Sequence, residues 1–233
     1  MNLKSKFKYL IFNLSILSLI TLSSCVSRKD LVYFQDEPIN SDQINSAPKQ
    51  LIYKPDDILT INVSAADDLA AQPFNLGLVS ASTNLLVANG AATMQTYLID
   101  YNGNIEFPVL GTIHLAGMNR IEATQMLKER ISEYAKDPIV NIRLVNFTVT
   151  IIGEVSNPGT FTIQDERITL PEALGLARDL TIFGKRDNIL LIREVDGVKK
   201  FAKIDLTSVN SVISPLYYLQ QNDVIVVEPN KAR

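Results

Sequence analysis

The chain of 233 residues contains one cysteine, Cys25, and one histidine, His114, so chemistry that needs either side chain has a single possible location. A disulfide within the chain needs two cysteines, and a metal cluster held by cysteines needs several, so both are excluded. Alternation along the sequence places His114 opposite Ile113 and Leu115, on the polar face of a predicted strand. A solvated surface histidine is therefore favoured over a catalytic one.

Two pairs of adjacent carboxylates could also support catalysis, namely Asp56 with Asp57 and Asp67 with Asp68. Adjacent residues on a strand point to opposite faces, so neither pair would flank one glycosidic bond. Turn and helix-capping roles are expected instead. The sequence also lacks a G-x-S-x-G motif, a Walker A loop and a G-x-G-x-x-G motif. We therefore predict no catalytic residue, no cofactor and no metal site.

Cys25 follows a stretch with the features of an N-terminal targeting sequence. Lys4, Lys6 and Lys8 form a basic segment, and residues 10–22 are largely apolar but too few for a comfortable membrane span. A cysteine at the end of such a stretch can act as an attachment point, because its thiol can carry a diacylglyceryl group.

The residues before the cysteine are one aliphatic residue, Leu22, and two small ones, Ser23 and Ser24. This L-S-S-C pattern resembles the lipobox of bacterial lipoproteins, which is cleaved before the cysteine after lipid has been attached. The resemblance implies a lipoprotein signal peptide at residues 1–24 and a lipid anchor on Cys25, in which each buried methylene contributes roughly 0.8 kcal/mol. An ordinary signal peptide or an anchor helix with an incidental cysteine is the alternative.

Composition limits the remaining function classes. The formal net charge is −3 and the isoelectric point is near 5.3, so the chain has no basic surface suited to nucleic acid. Apolar residues make up 46% of the chain, which is enough to build one large core or two small ones.

Residues 25–50 are polar and are predicted to be a linker between the lipid and a first domain at residues 51–145. This domain begins with a half-buried strand whose inward residues are Leu59, Ile61 and Val63. Residues 64–96 form a long, nearly uncharged loop, with a short helix expected around residues 67–71. We interpret the loop as a surface past which a polymer slides, as a subunit contact, or as disorder.

Asn102 and Gly103 lie between two short strand-like runs at residues 97–100 and 104–107, which predicts a hairpin. A helix follows, because Asn119 and Glu122 have capping-box spacing. Its apolar stripe is expected to consist of Ala123, Met126, Leu127, Arg130, Ile131 and Tyr134. Phe107, Tyr134, Phe147 and Phe161 are predicted to be core aromatics.

A change of phase near Val145 and Asn146 marks the end of the first domain, because inward residues change from even to odd positions. A second domain is predicted at residues 146–229, followed by a tail at residues 230–233. Within this domain Pro158 and Gly159 predict a type II turn with positive φ at the glycine.

A second capping box is predicted in this domain at Thr169 and Glu172, with strands on both sides of Asp196 and Gly197 and a final strand before Pro229. Both domains therefore read as strand, turn, strand, helix, strands. The predicted fold class is α+β, with two small mixed-sheet domains in tandem.

Several ordered blocks carry a family resemblance, in particular YKPDDILTINV, FPVLGTIHLAG and GEVSNPGTF. Together they resemble the outer-membrane polysaccharide export lipoproteins, in which an export domain precedes a soluble ligand-binding β-grasp (SLBB) domain. The resemblance extends from Leu51 to Glu228. The chain departs from the family at Pro55-Asp56-Asp57, where members usually have Pro-Gly-Asp.

The resemblance implies a lipid-anchored periplasmic protein at the cell outer membrane that assembles into a ring and conducts capsular polysaccharide or exopolysaccharide passively. It also implies an inner-membrane copolymerase or tyrosine kinase partner. Many members continue into an amphipathic helix that crosses the membrane, so either the sequence is truncated or this is a short form. The alternative functions are a non-conducting carbohydrate-binding or scaffold lipoprotein, and an envelope hydrolase.

The residues that contact the polymer cannot be assigned from the sequence. Tyr217 and Tyr218 are interpreted as packing or subunit-contact residues rather than a sugar-stacking pair. The basic residues near 183–186 could meet an anionic polymer, although a solvated loop is the default interpretation.

Overall fold

A computed structural model describes residues 29, 31–35, 50–75, 77–78, 93–94, 96–195 and 197–230. The first sheet has three antiparallel strands in the order β4-β1-β7. The central strand β1 spans Ile58–Ser64, with β4 at Thr96–Leu98 and β7 at Ile139–Leu144 on either side. Leu59, Ile61 and Val63 of β1 are buried, as their alternation predicted.

The long loop after β1 contains the short helix that the sequence predicted. Helix α1 spans Asp68–Ala71 and continues into a 3-10 turn at Gln72–Phe74. The Asp67 carboxylate accepts a hydrogen bond from the Leu69 N–H at the start of α1, which confirms a capping role. Two short strands, β2 at Gly77–Leu78 and β3 at Thr93–Met94, pair with each other. The remainder of the predicted loop lies outside the described residues.

The predicted hairpin at Asn102 and Gly103 is wrong in its strand pairing. A turn does form there, because the Gly103 N–H donates to the Asp100 carbonyl and Gly103 has φ +83°. However, β5 at Asn104–Phe107 pairs with β6 at Gly111–His114, whereas β4 pairs with β1. A turn motif specifies only the local chain reversal, and burial of the apolar faces decides which strands pair.

Helix α2 spans Arg120–Ile131 and begins with the predicted capping box, in which Asn119 and Glu122 exchange side-chain and backbone hydrogen bonds of 2.9 and 3.0 Å. Its buried residues are Ala123, Leu127 and Ile131. Tyr134, however, is 56% exposed, so its assignment to the core is wrong. It lies beyond the end of the helix, and its ring packs edge to face with Phe74 of the core.

The second sheet has five strands in the order β11-β10-β12-β8-β9 and mixes parallel and antiparallel pairs. Its strands are β8 at Thr148–Gly153, β9 at Gly159–Thr162, β10 at Gly184–Val195, β11 at Val198–Ile204 and β12 at Asp223–Pro229. The predicted phase change is observed, because β7 ends at Leu144 in the first sheet and β8 begins at Thr148 in the second.

Helix α3 spans Leu170–Leu176 and begins with the second predicted capping box, formed by Thr169 and Glu172. The predicted positive φ at Gly159 is wrong. Gly159 does not adopt the left-handed conformation and is instead the first residue of β9. A further 3-10 turn at Val209–Ile213 precedes β12. The fold class is therefore α+β, as predicted, with small sheets in two units that each have a hydrophobic core.

The two cores meet along a narrow junction. Leu51 and Leu144 each pack against both clusters of buried residues, and no other residue in the described ranges is shared in this way. In the part of the chain that the structure describes, no helix is both long and apolar enough to cross a membrane.

Candidate functional site

The residues of the predicted lipid-attachment site, namely Leu22, Ser23, Ser24 and Cys25, lie outside the described residues. Lipid attachment on Cys25 therefore stays a prediction. His114 is exposed and its Nδ1 lies 3.0 Å from Oδ1 of Asn104, which agrees with a surface histidine. Among the residues that the structure describes, no group of histidine, cysteine and carboxylate side chains could hold a metal ion.

A cleft of about 880 Å³ lies between the two cores. One wall comes from the segment around Leu51, from the start of α2 and from the outward side of β7. The other wall comes from the loop at residues 164–167, from the start of α3 and from Tyr218. Polar and charged side chains dominate this lining, and they are Gln50, Asn119, Arg120, Asn141, Arg143, Gln164, Asp165, Glu166, Arg167, Thr169 and Glu172.

Electrostatic contacts connect the walls of the cleft and orient its side chains. Arg120 of the first unit forms an ion pair with Glu166 of the second. Arg167 lies over the ring of Tyr218, with 5.8 Å between its guanidinium carbon and the ring centroid. Glu172 is held by its capping box, since one carboxylate oxygen accepts from both the N–H and the hydroxyl of Thr169 at 2.8 Å. The cleft therefore presents both signs of charge rather than a site for one ion.

Beside the cleft, two amide side chains hold the segment where the chain passes from the first unit to the second. The Asn146 side chain accepts from the Ile58 N–H at 2.8 Å and donates to the Asp56 carbonyl at 2.9 Å. The Gln221 side chain donates to the Asn146 carbonyl at 2.6 Å and accepts from the Thr148 N–H at 2.7 Å. Both amides thus satisfy backbone groups at the point where the chain passes from one sheet to the next.

The same junction contains the buried carboxylate of Asp57, which is 1% exposed. One oxygen accepts from the Lys54 N–H at 3.0 Å, whereas the other has no hydrogen-bond partner among the described residues. Burial raises the pKa of Asp57 to about 6, against a lowering effect of the Lys54 N–H and of the Lys54 charge. The Lys54 ammonium donates to the Gln221 carbonyl at 3.0 Å and so crosses between the units.

Asp56, which replaces the glycine that is usual in the family, occupies the left-handed region with φ +71°. Its N–H donates to the Ile99 carbonyl at 3.0 Å, so the turn is formed despite the substitution. Aspartate tolerates this conformation better than most residues. The predicted turn role of Asp56 is therefore confirmed.

The outward faces of the two sheets can be read from the strand registers. In the first sheet most outward residues are polar, and they are Thr60, Asn62, Ser64, Thr96, Asn141 and Arg143. The outward face of the second sheet is mixed. Its apolar residues are Ile152, Leu190, Ile192, Phe201, Val224 and Val226, and its polar residues include Thr148, Thr150, Thr160, Thr162, Glu194, Lys199 and Lys203. The first face is suited to contact with a hydrated molecule.

Two predictions about possible polymer contacts are tested by the structure. Tyr217 and Tyr218 are half-buried and pack edge to face with 5.5 Å between ring centroids, which confirms packing, although Tyr218 also lines the cleft. Arg186 is only 5% exposed, so both a polymer contact and a solvated loop are wrong for this residue. It lies on β10, where its guanidinium donates to backbone carbonyls instead of solvent.

Sequence reasoning missed most of the cleft and junction residues, including Lys54, Arg143, Asn146 and Gln221. Their side chains meet partners that are far away in the chain, so spacing along the sequence carries no signal for them. Asn146 was identified only as the position of the phase change. That change marks the passage between sheets where an amide is needed for the backbone.

Comparison with known proteins is consistent with this two-unit architecture. The sequence pattern of the polysaccharide biosynthesis/export protein family matches residues 45–145, and that of the SLBB domain matches residues 148–227. The chain therefore contains an export domain and an SLBB domain in tandem.

Two relatives come from the genus Ralstonia. The EPS I polysaccharide export outer membrane protein EpsA of Ralstonia nicotianae is 32% identical over 143 residues, which cover 59% of this chain and 37% of the relative. The protein of the same name from Ralstonia solanacearum is 28% identical over 182 residues, which cover 75% of this chain and 47% of the relative. The chain thus spans less than half the length of these relatives.

Proposed function

We propose that the protein is a component of the machinery that exports capsular polysaccharide or exopolysaccharide, anchored to the outer membrane by lipid on Cys25 with its domains in the periplasm. The observation that carries this proposal is the tandem match of an export domain and an SLBB domain over residues 45–145 and 148–227. The names of the two relatives, which describe polysaccharide export proteins of the outer membrane, support the same function and location.

In this proposal several copies assemble into a ring with a wet lumen, and the polymer passes through it without any bond being made or broken. A hydroxyl-rich polymer keeps its hydration in such a channel, and tight binding would stall its movement. The polar outward face of the first sheet supports this role, because its hydroxyl and amide groups can exchange hydrogen bonds with water and sugar alike. Energy and polymer would come from an inner-membrane synthesis complex.

The proposed domain division is a signal peptide at residues 1–24, a linker at 25–50, an export domain at 51–145, an SLBB domain at 146–229 and a tail at 230–233. Two separate hydrophobic cores, one on each side of the break at residues 145–147, support the central boundary. The junction formed by Asn146 and Gln221 would hold the two domains in one orientation, which a stacked ring requires.

Deletion of the gene tests the export function. We expect surface polysaccharide to be lost and polymer to accumulate in the periplasm, because synthesis continues while the exit is absent. Both can be measured with an antibody or lectin against the polymer on intact and on lysed cells. Wild-type protein should restore display, and Cys25→Ala should restore it poorly because the anchor is missing. Normal surface display in the deletion strain would refute the proposal.

A further inference from the structure

A short segment before the first domain lies on the second domain instead. Lys29 and residues 31–35, which we call the strap, are separated in the sequence from β10 and β11 by the whole export domain. The Phe34 N–H donates to the Leu206 carbonyl at 3.0 Å, and the Gln35 N–H donates to the Thr207 carbonyl at 2.6 Å. The strap therefore continues the backbone hydrogen bonding of the second domain just beyond β11.

Tyr33 gives the strap a specific side-chain site. Its ring covers the Arg186 guanidinium at 5.2 Å, and its hydroxyl donates to the Asp179 carboxylate. Arg186 is buried and donates to the carbonyls of Leu180, Thr181 and Gly184, while its Nε has no hydrogen-bond partner among the described residues. A buried guanidinium is stabilised by an aromatic face, so Tyr33 completes the environment of Arg186.

The strap is also folded back on itself. The Gln35 side-chain amide donates to the Lys29 carbonyl and, at 2.7 Å, to the Val32 carbonyl. Lys29 is thereby held beside the second domain together with Tyr33. From Lys29 to Cys25 only four residue steps remain, which span at most about 14 Å when fully extended.

A longer segment connects the other end of the strap to the export domain. Fifteen residue steps separate Gln35 from Gln50, where the export domain begins, and they could span up to about 50 Å. If Cys25 carries lipid, as the proposed function holds, the short segment from Cys25 to Lys29 keeps the second domain close to the bilayer. The export domain can lie further away, because the segment from Gln35 to Gln50 is longer. Domain order along the chain would suggest the opposite arrangement.

The strand next to the strap site has the composition of a membrane-contacting surface. β11 presents Lys199, Lys200 and Lys203, and its exposed apolar residues Val198 and Phe201 are 60% and 66% exposed. Glu194 opposes Lys199 in the sheet register, so the cationic excess is modest. Lysines near an anionic bilayer are attracted to its surface, and an exposed phenylalanine can enter the headgroup region.

We infer that the strap is a docking device that holds the second domain, through β11, against the phospholipid headgroups of the membrane that carries the lipid anchor. The occupant of the β11 surface is thus a bilayer containing anionic phospholipid, and not a second copy of this chain. This inference rests on the proposed lipid attachment to Cys25. Tyr33 is the residue on which docking depends, because its side chain supplies both contacts with Arg186 and Asp179.

The test uses the acylated full-length protein in vesicles of phosphatidylethanolamine and phosphatidylglycerol that contain brominated lipid. Because the native cysteine is occupied by lipid, an introduced cysteine is the only thiol and can carry a fluorophore. One label is placed by Val198→Cys at the end of β11, and a control label by Tyr101→Cys in the export domain, where Tyr101 is 93% exposed. Quenching by the bromines reports contact with the bilayer.

We expect strong quenching of the label at position 198 and little at position 101. Tyr33→Ala should remove most of the quenching at position 198, whereas Val32→Ala, a neighbouring exposed side chain in the strap, should leave it unchanged. Thermal unfolding of each variant in detergent shows that the domain remains folded at the temperature of the assay, although Tyr33→Ala should unfold at a lower temperature than Val32→Ala because it loses the contacts with Arg186 and Asp179.

Four results would overturn the inference. If intact mass shows that Cys25 is lipidated, equal quenching of the two labels, or quenching that survives Tyr33→Ala, would contradict the inference. Neither result would contradict the proposed export function. Energy transfer between labels at position 198 on different copies, without quenching by lipid, would assign β11 to a subunit contact. An unlipidated Cys25 would contradict the anchor of the proposed function and this inference with it.

Discussion

A single carboxylate at the junction of the two units has an unusual environment for its type. Asp57 is buried at the end of the turn before β1, and only one of its oxygens has a hydrogen-bond donor among the described residues. Its position after Pro55 and Asp56 was predicted from the sequence as a turn role, which gives no reason for full burial.

Asp57 should make stability depend on pH in a defined window. Its pKa is about 6 in the folded protein against an ordinary value of 3.8, so the folded state binds the proton more tightly. The stabilisation is complete below about pH 4 and is lost as the pH rises through 6, amounting to about 3 kcal/mol in the free energy of unfolding. Asp57→Asn, measured by urea unfolding from pH 4 to 8, should lack this loss.

The matched control is Asp56→Asn, since Asp56 is the exposed neighbour and asparagine tolerates the same left-handed conformation. This variant should keep the pH dependence of the wild type. If the stability of Asp57→Asn and of the wild type followed parallel curves between pH 4 and 7, the raised pKa of Asp57 would be contradicted.

At the scale of elements, the close approach of β8 and β12 depends on one glycine. Gly153 ends β8 with φ +96°, and a Cβ at this position would lie 2.1 Å from the Val227 carbonyl oxygen. That oxygen accepts the Glu154 N–H at 2.9 Å, so it cannot move away without breaking a hydrogen bond. The sheet thus requires a residue without a side chain at this position.

Gly153→Ala should therefore lower the free energy of unfolding by more than about 2 kcal/mol, through both the clash and the unfavourable φ. Gly175→Ala serves as the control, because Gly175 lies in α3 and a Cβ there meets no atom within 4 Å. That substitution should raise stability by about 0.5–1 kcal/mol. Chemical denaturation monitored by circular dichroism measures both, and equal effects would contradict the account of β8 and β12.

Some elements could be predicted because their determinants are local. Both capping boxes, at Asn119 with Glu122 and at Thr169 with Glu172, follow from a spacing of three residues and were confirmed in detail. The phase change before Asn146 was also readable, because strand periodicity registers the slip of one residue.

Other elements were mispredicted because their determinants are not local. β5 pairs with β6 because β4 pairs with β1, which lies about forty residues away in the chain. Gly159 lost its expected positive φ because pairing with Ile151 extends the backbone there. Arg186 follows a Gly-Lys pair that resembles a loop, but distant carbonyls and Tyr33 bury it. The cleft residues escaped prediction for the same reason.

At the scale of the whole molecule, the export and SLBB domains are joined by contacts that restrict their relative motion. The Asn146 side chain bonds to the backbone of Asp56 and Ile58 across the junction, and the Lys54 ammonium donates to the Gln221 carbonyl. Two domains held in this way can present the same surfaces in every copy, which a closed ring of identical subunits requires.

The most direct test of the central claim is electron microscopy of the acylated full-length protein, purified in detergent over a range of protein concentrations. A conduit formed by several copies predicts ring-shaped particles of uniform size, with a central opening wide enough for a hydrated polymer. Solitary particles without an opening, at every concentration and in every detergent, would contradict the conduit and favour a non-conducting carbohydrate-binding or scaffold protein.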